Sequence, residues 1–542
     1  MSARHLSQML SERSVVGLCL VADNDDLRAP PRAVALSSGD DEERVVDLDG
    51  PQRSALSAWL ARTDRVVVMG EARPQLRRLL AAGVDVARPV CLATLRRLIG
   101  ERSDDEPRLA RAPDTAKERA RRAFAALHDV IERLERDGQR KVARLESLVL
   151  RPFAALEHRG LAIDARGWRA LVDEARARLE EGRREVFAAL SDHVSRDLFG
   201  EPDLSLESEQ EVRAVLERAV GRSLNDLSKH TLVALEHPAA AALLRYREAF
   251  KIVSTYGDAF LEHVNASTGR IHATFIPLGA STGRVASRDP NLQNLPSDER
   301  FHRCLRAPTG RALVTADYAT CELRILAELS DDPRFLEAFE RGEDLHSVVA
   351  STMFGVPVSK SENPQLRQAA KAINFGLVYG MGVQALAASL DKPLAEAEEL
   401  LQRYFQRFPR IRGYLEGSVD SALKRGRAET VLGRRLVFDP NVVKSDNARG
   451  ELGRIAKNMP IQGTSADMTK LAMVRVHERL LEGFRDAGLV NTIHDELVVE
   501  CDEAEAEAVA EAVRVEMEEA HKTLLKKAPP LVEVHVGAHW MH

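Results

Sequence analysis

The sequence predicts a multidomain α/β protein, and three observations lead to this fold class. The chain has 542 residues, too many for one ordinary domain, so about two to four packed units are expected. Its first hundred residues alternate short apolar runs, VVGLCLV and RVVVMG, with helical patterns. Long amphipathic stretches follow, and from about residue 255 short strand-like runs, glycine turns and helices take over.

The composition favours a soluble, cytoplasmic protein. Hydrophobic residues make up 44% and charged residues 30% of the chain, and no run of about 18 uncharged apolar residues could span a bilayer. The first residues, MSARHLSQMLSER, lack the apolar core of a signal peptide. The five cysteines form no CxxC pair, which argues against a zinc site and a disulfide framework.

The net charge does not indicate a polyanionic partner. Because the formal net charge is −6, any nucleic-acid site must be a local basic cleft. Arg434 with Arg435, and Arg367 with Lys371, could line such a cleft. Most other arginines are better explained as solvated surface cations.

The first half of the chain predicts a small α/β domain followed by long amphipathic helices, and such helices usually serve as scaffold. Residues up to about 100 indicate a small α/β domain, and the polar stretch 103–117, which contains two prolines, indicates a linker. A long helical region then ends at Gly160, a plausible C-cap, and another helix is predicted over about 165–193.

The first chemical segment is RALVTADYATCELRILAELS. Its apolar run 312–316 predicts a strand that delivers Asp317 near its end, and a helix is predicted to follow through 323–329. Taken alone, such an aspartate is more often a helix cap or a surface residue.

The second segment, GLVNTIHDELVVE, predicts a hairpin with His494, Asp495 and Glu496 at its tip. A turn needs polar residues in any case. Together with Asp317, however, Asp495 could hold two divalent ions about 3.5–4 Å apart, as an in-line displacement at phosphorus requires. Zinc would require His or Cys ligands, so magnesium or manganese is favoured.

The third segment is RQAAKAINFGLVYGMG, in which Arg367, Lys371, Phe375 and Tyr379 recur every four residues. On a helix these residues share one face, cations first and aromatic rings second. A nucleoside triphosphate has the same order, a polyanionic tail followed by a sugar and a flat base. The simpler alternative is a solvated cationic turn followed by core aromatics.

In this order the three segments resemble motifs A, B and C of the family A DNA polymerases, the group that includes bacterial DNA polymerase I. The resemblance runs from about Val149 to the C-terminus and includes STGRVASRDPNLQNLP, GEDLHS, TVLGRRL and RIAKNMPIQGTSAD. It implies a large-fragment architecture: a right-hand polymerase with an α+β palm, fingers and thumb, preceded by a degenerate, ribonuclease H-like exonuclease domain. The implied boundaries are 1–100 for the vestigial exonuclease, 101–145 for a linker and helix, and 146–542 for the polymerase, with thumb about 164–253, palm about 254–332 and 441–542, and fingers about 333–440.

The resemblance also implies residue roles. Asp317, Asp495 and the backbone carbonyl of Tyr318 would bind two Mg²⁺, with Mn²⁺ as a possible substitute. Glu496 would be a supporting acid beside the primer end, and Lys371 would protonate the pyrophosphate leaving group. The implied dNTP-binding residues are Arg367, Lys371 and His346 at the triphosphate, Phe375 and Tyr379 at the sugar and templating base, and Glu322 as the steric gate against a ribose 2′-hydroxyl.

A further set of residues is implied to contact the primer-template DNA near its end. Hydrogen-bond donors suit this task, since every base pair presents minor-groove acceptors and pair geometry is checked without reading sequence. The set is Arg284, Asn291, Gln293, Asn294, Arg454, Asn458, Gln462 and His494, although some of the three in the 291–294 loop are expected only to brace it. Helices over about 165–251 are expected to embrace the duplex backbone.

Two departures from the family pattern are informative. Thr320 and Cys321 stand where many members carry Gln and an aliphatic residue, which is expected to leave activity intact. In the exonuclease-like region, Asp23 and Asp25 have the spacing of the first metal-binding acids, but Pro74 and Gln75 lie where another acid is needed, and CLAT replaces the usual DT. We therefore expect no 3′-to-5′ proofreading, and we also expect no 5′-nuclease domain ahead of this region.

Two rival functions remain open on the sequence alone. A single-subunit RNA polymerase would share the two metal-binding acids and the cation-bearing helix, but the combination of Glu322 and Phe375 argues against this class. The other rival is a catalytically silent DNA-binding scaffold. The chain nevertheless retains Asp317, Asp495, Arg367 and Lys371, and their presence argues against a loss of catalysis. The favoured expectation is a monomeric, nucleoid-associated DNA polymerase that uses dNTPs in repair or replication, with no membrane partner.

Overall fold

The computed structural model describes residues 14–24, 26–39, 43–101, 110, 112–378, 380–438 and 446–541, with only the backbone described for 446–449. The chain divides into two compact units. The first comprises Met1–Leu161, His272–Gln293 and Ala307–His542, and the second comprises Ala162–Ile271 and Asn294–Arg306. The finer palm, fingers and thumb boundaries stay predictions.

A five-stranded sheet with the order β3-β2-β1-β4-β5 opens the first unit. The strands β1 and β2 pair antiparallel, as do β2 and β3, whereas β4 runs parallel to β1 and β5 parallel to β4. The elements are β1 (Val15–Val21), β2 (Ala33–Ser37), β3 (Glu43–Asp47), α1 (Arg53–Leu60), β4 (Val66–Met69), α2 (Ala72–Ala81), β5 (Pro89–Cys91) and α3 (Leu92–Leu98). The small α/β fold predicted for this region is confirmed.

The predicted long helical region consists of three helices, α4 (Pro113–Arg136), α5 (Arg140–Leu148) and α6 (Leu150–Arg159). Gly138, with φ 64°, lies between α4 and α5, and Gly160, with φ 67°, ends α6 as expected. The predicted linker 103–117 extends too far, because α4 already begins at Pro113. Proline fits the first helical position, where its missing N–H costs no hydrogen bond.

The second unit is mostly helical. Its elements are α7 (Ala165–Ala189), α8 (Glu209–Val220), α9 (Lys229–Val233), α10 (Pro238–Tyr256), α11 (Asp258–Leu261), β7 (Arg270–Ile271) and α12 (Glu299–Cys304); the short strand β6 (Leu161–Ala162) contains the sequence boundary between the two units. Helix α7 ends four residues before the predicted position 193. Its Trp168 ring stacks on Phe260 with centroids 4.4 Å apart, and the indole N–H donates to the Tyr256 carbonyl at 2.8 Å.

A four-stranded antiparallel sheet with the order β13-β14-β10-β15 lies in the second half of the chain. Its strands are β10 (Arg311–Tyr318), β13 (Gly488–Ile493), β14 (Glu496–Asp502) and β15 (Val532–Gly537). The helices α13 (Cys321–Ser330), α20 (Asp446–Gly483) and α21 (Ala506–Leu524) belong to the same unit. Strand β10 carries the predicted run 312–316 and continues directly into α13.

Among the described residues, the first unit also contains two short hairpins, six α-helices that follow α13 in sequence, and a 3-10 helix at Glu503–Glu505. The hairpins and α-helices are β8 (Thr274–Ile276) with β9 (Ala286–Arg288), α14 (Pro333–Glu340), α15 (Leu345–Phe354), α16 (Pro364–Val378), α17 (Val383–Leu390), α18 (Leu394–Arg407), α19 (Pro409–Arg425), and β11 (Arg427–Glu429) with β12 (Arg435–Val437). Within the described part of the chain, every helix is too short or too polar to cross a bilayer.

Candidate active site

Asp317 and Asp495 come together at one end of the strands of the four-stranded sheet. Asp317 lies near the end of β10, and in the antiparallel register it faces Glu496, the first residue of β14. Asp495 immediately precedes Glu496 in the two-residue turn between β13 and β14. Both aspartates are partly buried.

The electrostatics of this pair favour a bound cation. Burial raises the pKa of Asp495 above its ordinary value, and the nearby charge of Asp317 raises it further. Within the described residues, no group of three or more His, Cys, Asp and Glu side chains forms a metal site. Two carboxylates still fit Mg²⁺, because this ion prefers oxygen ligands and commonly completes its shell with water and substrate phosphates.

The position of Glu496 corrects the predicted hairpin. The turn consists of His494 and Asp495 only, and His494 is exposed with φ 54°. Glu496 instead begins β14, is buried, and its Oε1 accepts a hydrogen bond from the Trp540 indole at 2.6 Å. Sequence reasoning missed Trp540, although a tryptophan that is buried usually needs an acceptor for its N–H.

Tyr318 turns its side chain away from the acids. Successive strand residues point to opposite faces of a sheet, so Tyr318 and Asp317 diverge. The Tyr318 hydroxyl is buried and donates to the Met517 carbonyl of α21 at 2.6 Å. Only its backbone carbonyl suits the predicted metal contact.

The predicted cationic stripe lies on α16. Arg367 and Lys371 occupy its first half, with Lys371 exposed, and Phe375 lies in its second half with its ring centroid 5.6 Å from that of His346. Tyr379 lies outside the described residues. The Arg367 guanidinium makes a two-point ion pair with Asp344, through Nε at 2.6 Å and Nη2 at 3.0 Å.

His346 joins this group from the first turn of α15. It is buried, and its Nδ1 lies 3.1 Å from Nδ2 of the fully buried Asn374. Burial lowers the pKa of His346 to about 4, so the ring is neutral near pH 7. Neither Asn374 nor Asp344 was singled out from sequence. The cap position of Asp344 ahead of α15 was the available signal.

Glu322 and Arg284, for which separate roles were predicted, form an ion pair. Glu322 is buried in the first turn of α13 and accepts a hydrogen bond from Nη2 of Arg284. The predicted steric gate and a predicted DNA contact therefore form one ion pair.

The other predicted DNA contacts lie in three places: on α20, in the 291–294 loop, and at His494 in the turn between β13 and β14. Arg454, Asn458 and Gln462 are four residues apart on α20, so they share one face, and Arg454 is exposed. Gln293 braces its loop, as expected for part of this set, by donating from Nε2 to the Thr492 carbonyl of β13 at 3.1 Å.

Asn291 is exposed and accepts from the Gln293 backbone N–H at 2.9 Å. Asn294 is exposed and belongs to the second compact unit, where its carbonyl accepts from the Tyr256 hydroxyl.

The suggestion that Arg434 lines an open basic cleft is wrong. Its side chain is buried and its guanidinium binds Asp467 at 2.6 Å and Glu146 at 2.5 Å. Lys470 is also buried and binds Glu146. The four charges balance, which explains how the cluster tolerates burial. Arg435 is half-buried and pairs with Glu429 at 2.7 Å.

In the N-terminal sheet, Asp23 lies just past β1 and pairs with Arg32 at 3.3 Å on the surface. Asp25 lies outside the described residues. Gln75, which stands near a position where an acid was needed, is buried in α2. It accepts from the Leu20 N–H at 3.0 Å and donates to the Glu71 carbonyl at 2.8 Å, so it ties α2 to β1.

These features are those of the class of right-hand nucleic acid polymerases: a four-stranded sheet with paired acids, a helix that carries cations, and a mostly helical second unit. The model of DNA polymerase family A matches residues 175–542, more than half of the chain. The chain therefore belongs to DNA polymerase family A.

Comparisons with individual proteins agree with this assignment. The thermostable DNA polymerase I of Thermus aquaticus is 36% identical over 447 residues, which cover 79% of this chain and 52% of that protein. DNA polymerase I of Pseudomonas aeruginosa is 41% identical over 302 residues, 55% of this chain and 33% of that protein. The chain thus spans about half or less of the length of these curated relatives.

One solved structure matches along the whole chain. It is the POL domain of Pol1 from M. smegmatis in complex with DNA primer-template and dNTP, with a TM-score of 0.85 and 30% sequence identity. The match covers 100% of this chain and 98% of that one. The right-hand polymerase fold expected from the sequence is thereby confirmed.

Proposed function

We propose that this protein is a DNA-templated DNA polymerase that extends a primer 3′ end with dNTPs by two-metal-ion phosphoryl transfer, in DNA repair or replication. The observation that carries the proposal is the meeting of Asp317 and Asp495 at one end of the strands of the four-stranded sheet. Primer-template DNA and dNTPs are its partners, and the chain acts as a cytoplasmic, nucleoid-associated monomer.

Asp317, Asp495 and the Tyr318 carbonyl would hold two Mg²⁺, or Mn²⁺ in their place. When bound, such ions stabilise the charge on the attacking and leaving oxygens. Arg367 binds the triphosphate as a permanent cation. His346, which is neutral, contributes a hydrogen bond from its ring rather than a charge.

Lys371 is the proton donor to the pyrophosphate leaving group in this proposal. Its exposure on α16 supports the assignment, because the ammonium can reach an incoming phosphate. Glu496 acts as a supporting acid from within the sheet, held by Trp540 rather than presented at the hairpin tip.

Sugar selection is assigned to Glu322 and Phe375, with Tyr379 at the templating base. The Arg284 contact supports a fixed position for the Glu322 carboxylate, as a steric gate requires. We expect extension with dNTPs but not with rNTPs, and poorer incorporation of dideoxynucleotides than of dNTPs. Equal use of ddNTPs and dNTPs would contradict the assignment of Phe375.

DNA binding is assigned to Arg284, Asn291, Gln293, Asn294, Arg454, Asn458, Gln462 and His494. The common face of the three α20 residues supports a sequence-independent contact with the minor groove.

The N-terminal sheet is proposed to lack proofreading activity. Two-metal nuclease chemistry requires a full set of acidic ligands, and the hydrogen bonds of Gln75 support a packing role at a position where an acid would be needed. Incubation with a mismatched 3′ end is the test. Degradation of that end, lost on Asp23→Ala, would overturn this part of the proposal.

Primer extension with Mg²⁺ tests the central proposal. The native chain should extend a primed template, and Asp317→Ala should lower the rate by roughly a thousandfold while primer-template binding persists. Asp502→Ala is the matched control, because Asp502 lies at the far end of β14 and pairs with Arg311. A native chain without activity, or an Asp317→Ala variant with native activity, contradicts the proposal.

A further inference from the structure

Asp344 lies inside the proposed triphosphate site, although it is itself an anion. It immediately precedes α15, and its two carboxylate oxygens take the two N–H groups on one edge of the Arg367 guanidinium, at 2.6 and 3.0 Å. Such a two-point pair fixes the plane of the guanidinium as well as its position.

Asp344 is in turn anchored to its own helix. Its Oδ2 accepts hydrogen bonds from the backbone N–H of Ser347 at 3.2 Å and from the Ser347 hydroxyl, so the carboxylate caps α15. A long arginine side chain normally loses considerable rotamer freedom when it is ordered. The Asp344 contact orders Arg367 before any nucleotide arrives.

We propose that Asp344 is a positioning residue that presents Arg367 to the triphosphate of the incoming dNTP. The inference rests on the proposed function, since it assigns the residue that orients a cation of that same site. Asp344 occupies Nε and Nη2, which leaves the Nη1 edge of the guanidinium as the donor surface for phosphate oxygens.

Asp344→Asn separates this role from helix capping. Asparagine caps a helix as well as aspartate does, so α15 should keep its end. It has no charge, however, and only one side-chain oxygen for the guanidinium. We expect the KM for dNTP to rise about tenfold with kcat changed less than about twofold, because Arg367 binds phosphate in both the ground state and the transition state.

A double-mutant cycle with Arg367→Ala distinguishes a positioning role of Asp344 from a purely structural one. If Asp344 acts through Arg367, Asp344→Asn should change the KM no further once Arg367 is absent. Asp332→Asn is the matched control. Asp332 caps α14 through the N–H groups of Arg334 and Phe335, and the KM should stay at the native value.

The outcomes separate the two proposals. A native KM in Asp344→Asn, a lowered KM, or the same rise in the Arg367→Ala background would overturn the role of Asp344 and leave the polymerase assignment intact. A native chain that extends no primer would defeat the proposed function instead.

Discussion

Trp540 and Glu496 illustrate how single residues complete the site. Both side chains are buried. Glu496 begins β14 and Trp540 follows β15, yet the indole Nε1 of Trp540 lies 2.6 Å from Oε1 of Glu496. A buried carboxylate needs hydrogen-bond donors, because the low-dielectric interior replaces the water that would otherwise solvate it.

Trp540→Phe should lower the free energy of unfolding by about 1–3 kcal/mol, the usual contribution of a hydrogen bond to a buried charged group. Urea unfolding of the variant measures this. In the Glu496→Gln background the same change should cost less, since the charged acceptor is gone. Equal costs in both backgrounds would show that the indole contributes packing only.

At the scale of elements, glycines mark where helices approach closely. Gly182 of α7 faces the backbone of Tyr246 in α10, and a Cβ placed there would lie 3.1 Å from the Tyr246 Cα and N atoms. Gly413 of α19 is exposed, and a Cβ there would meet nothing within 4 Å.

The same substitution should therefore have opposite effects at these two positions. Gly182→Ala should destabilise the protein by about 1–3 kcal/mol, because backbone atoms must move apart. Gly413→Ala should stabilise it by roughly 0.5–1 kcal/mol, because alanine is the better helix former. Thermal unfolding of both variants measures the difference, and a shared sign would contradict the close approach of α7 to α10.

At the scale of the whole molecule, three histidines are held neutral in separate parts of the first unit. Burial lowers the pKa values of His272, His346 and His477 to about 4 in each case. In the unfolded chain a histidine titrates near about 6.5. Between these values the unfolded state binds more protons than the folded state.

The free energy of unfolding should consequently fall as the pH drops from about 6.5 towards 4, by up to about 1.4 kcal/mol per pH unit for each histidine. Urea titrations at pH 7 and pH 5 measure this slope. His477→Gln should reduce it, because one of the three buried, neutral rings is then gone. A native slope in His477→Gln would contradict the prediction.

The elements that carry Asp317 and Asp495 could be predicted from sequence because those signals are local, whereas the right-hand fold and the roles of the two acids were implied by the resemblance to family A DNA polymerases. An apolar run that ends in Asp317, two runs around a two-residue turn, and a four-residue repeat on a helix all follow from backbone periodicity. These patterns act within one strand, hairpin or helix, so neighbouring residues suffice to show them.

The tertiary structure alone decided which charged groups meet. It places Arg434 in a buried cluster rather than an open cleft, pairs Arg284 with Glu322, and holds Arg367 against Asp344. Which ionic groups pair depends on how segments that are distant in sequence pack together, and the composition of the chain does not indicate this. The sequence by itself therefore determined the elements and the acids they carry, whereas the partners that orient the side chains depended on the fold.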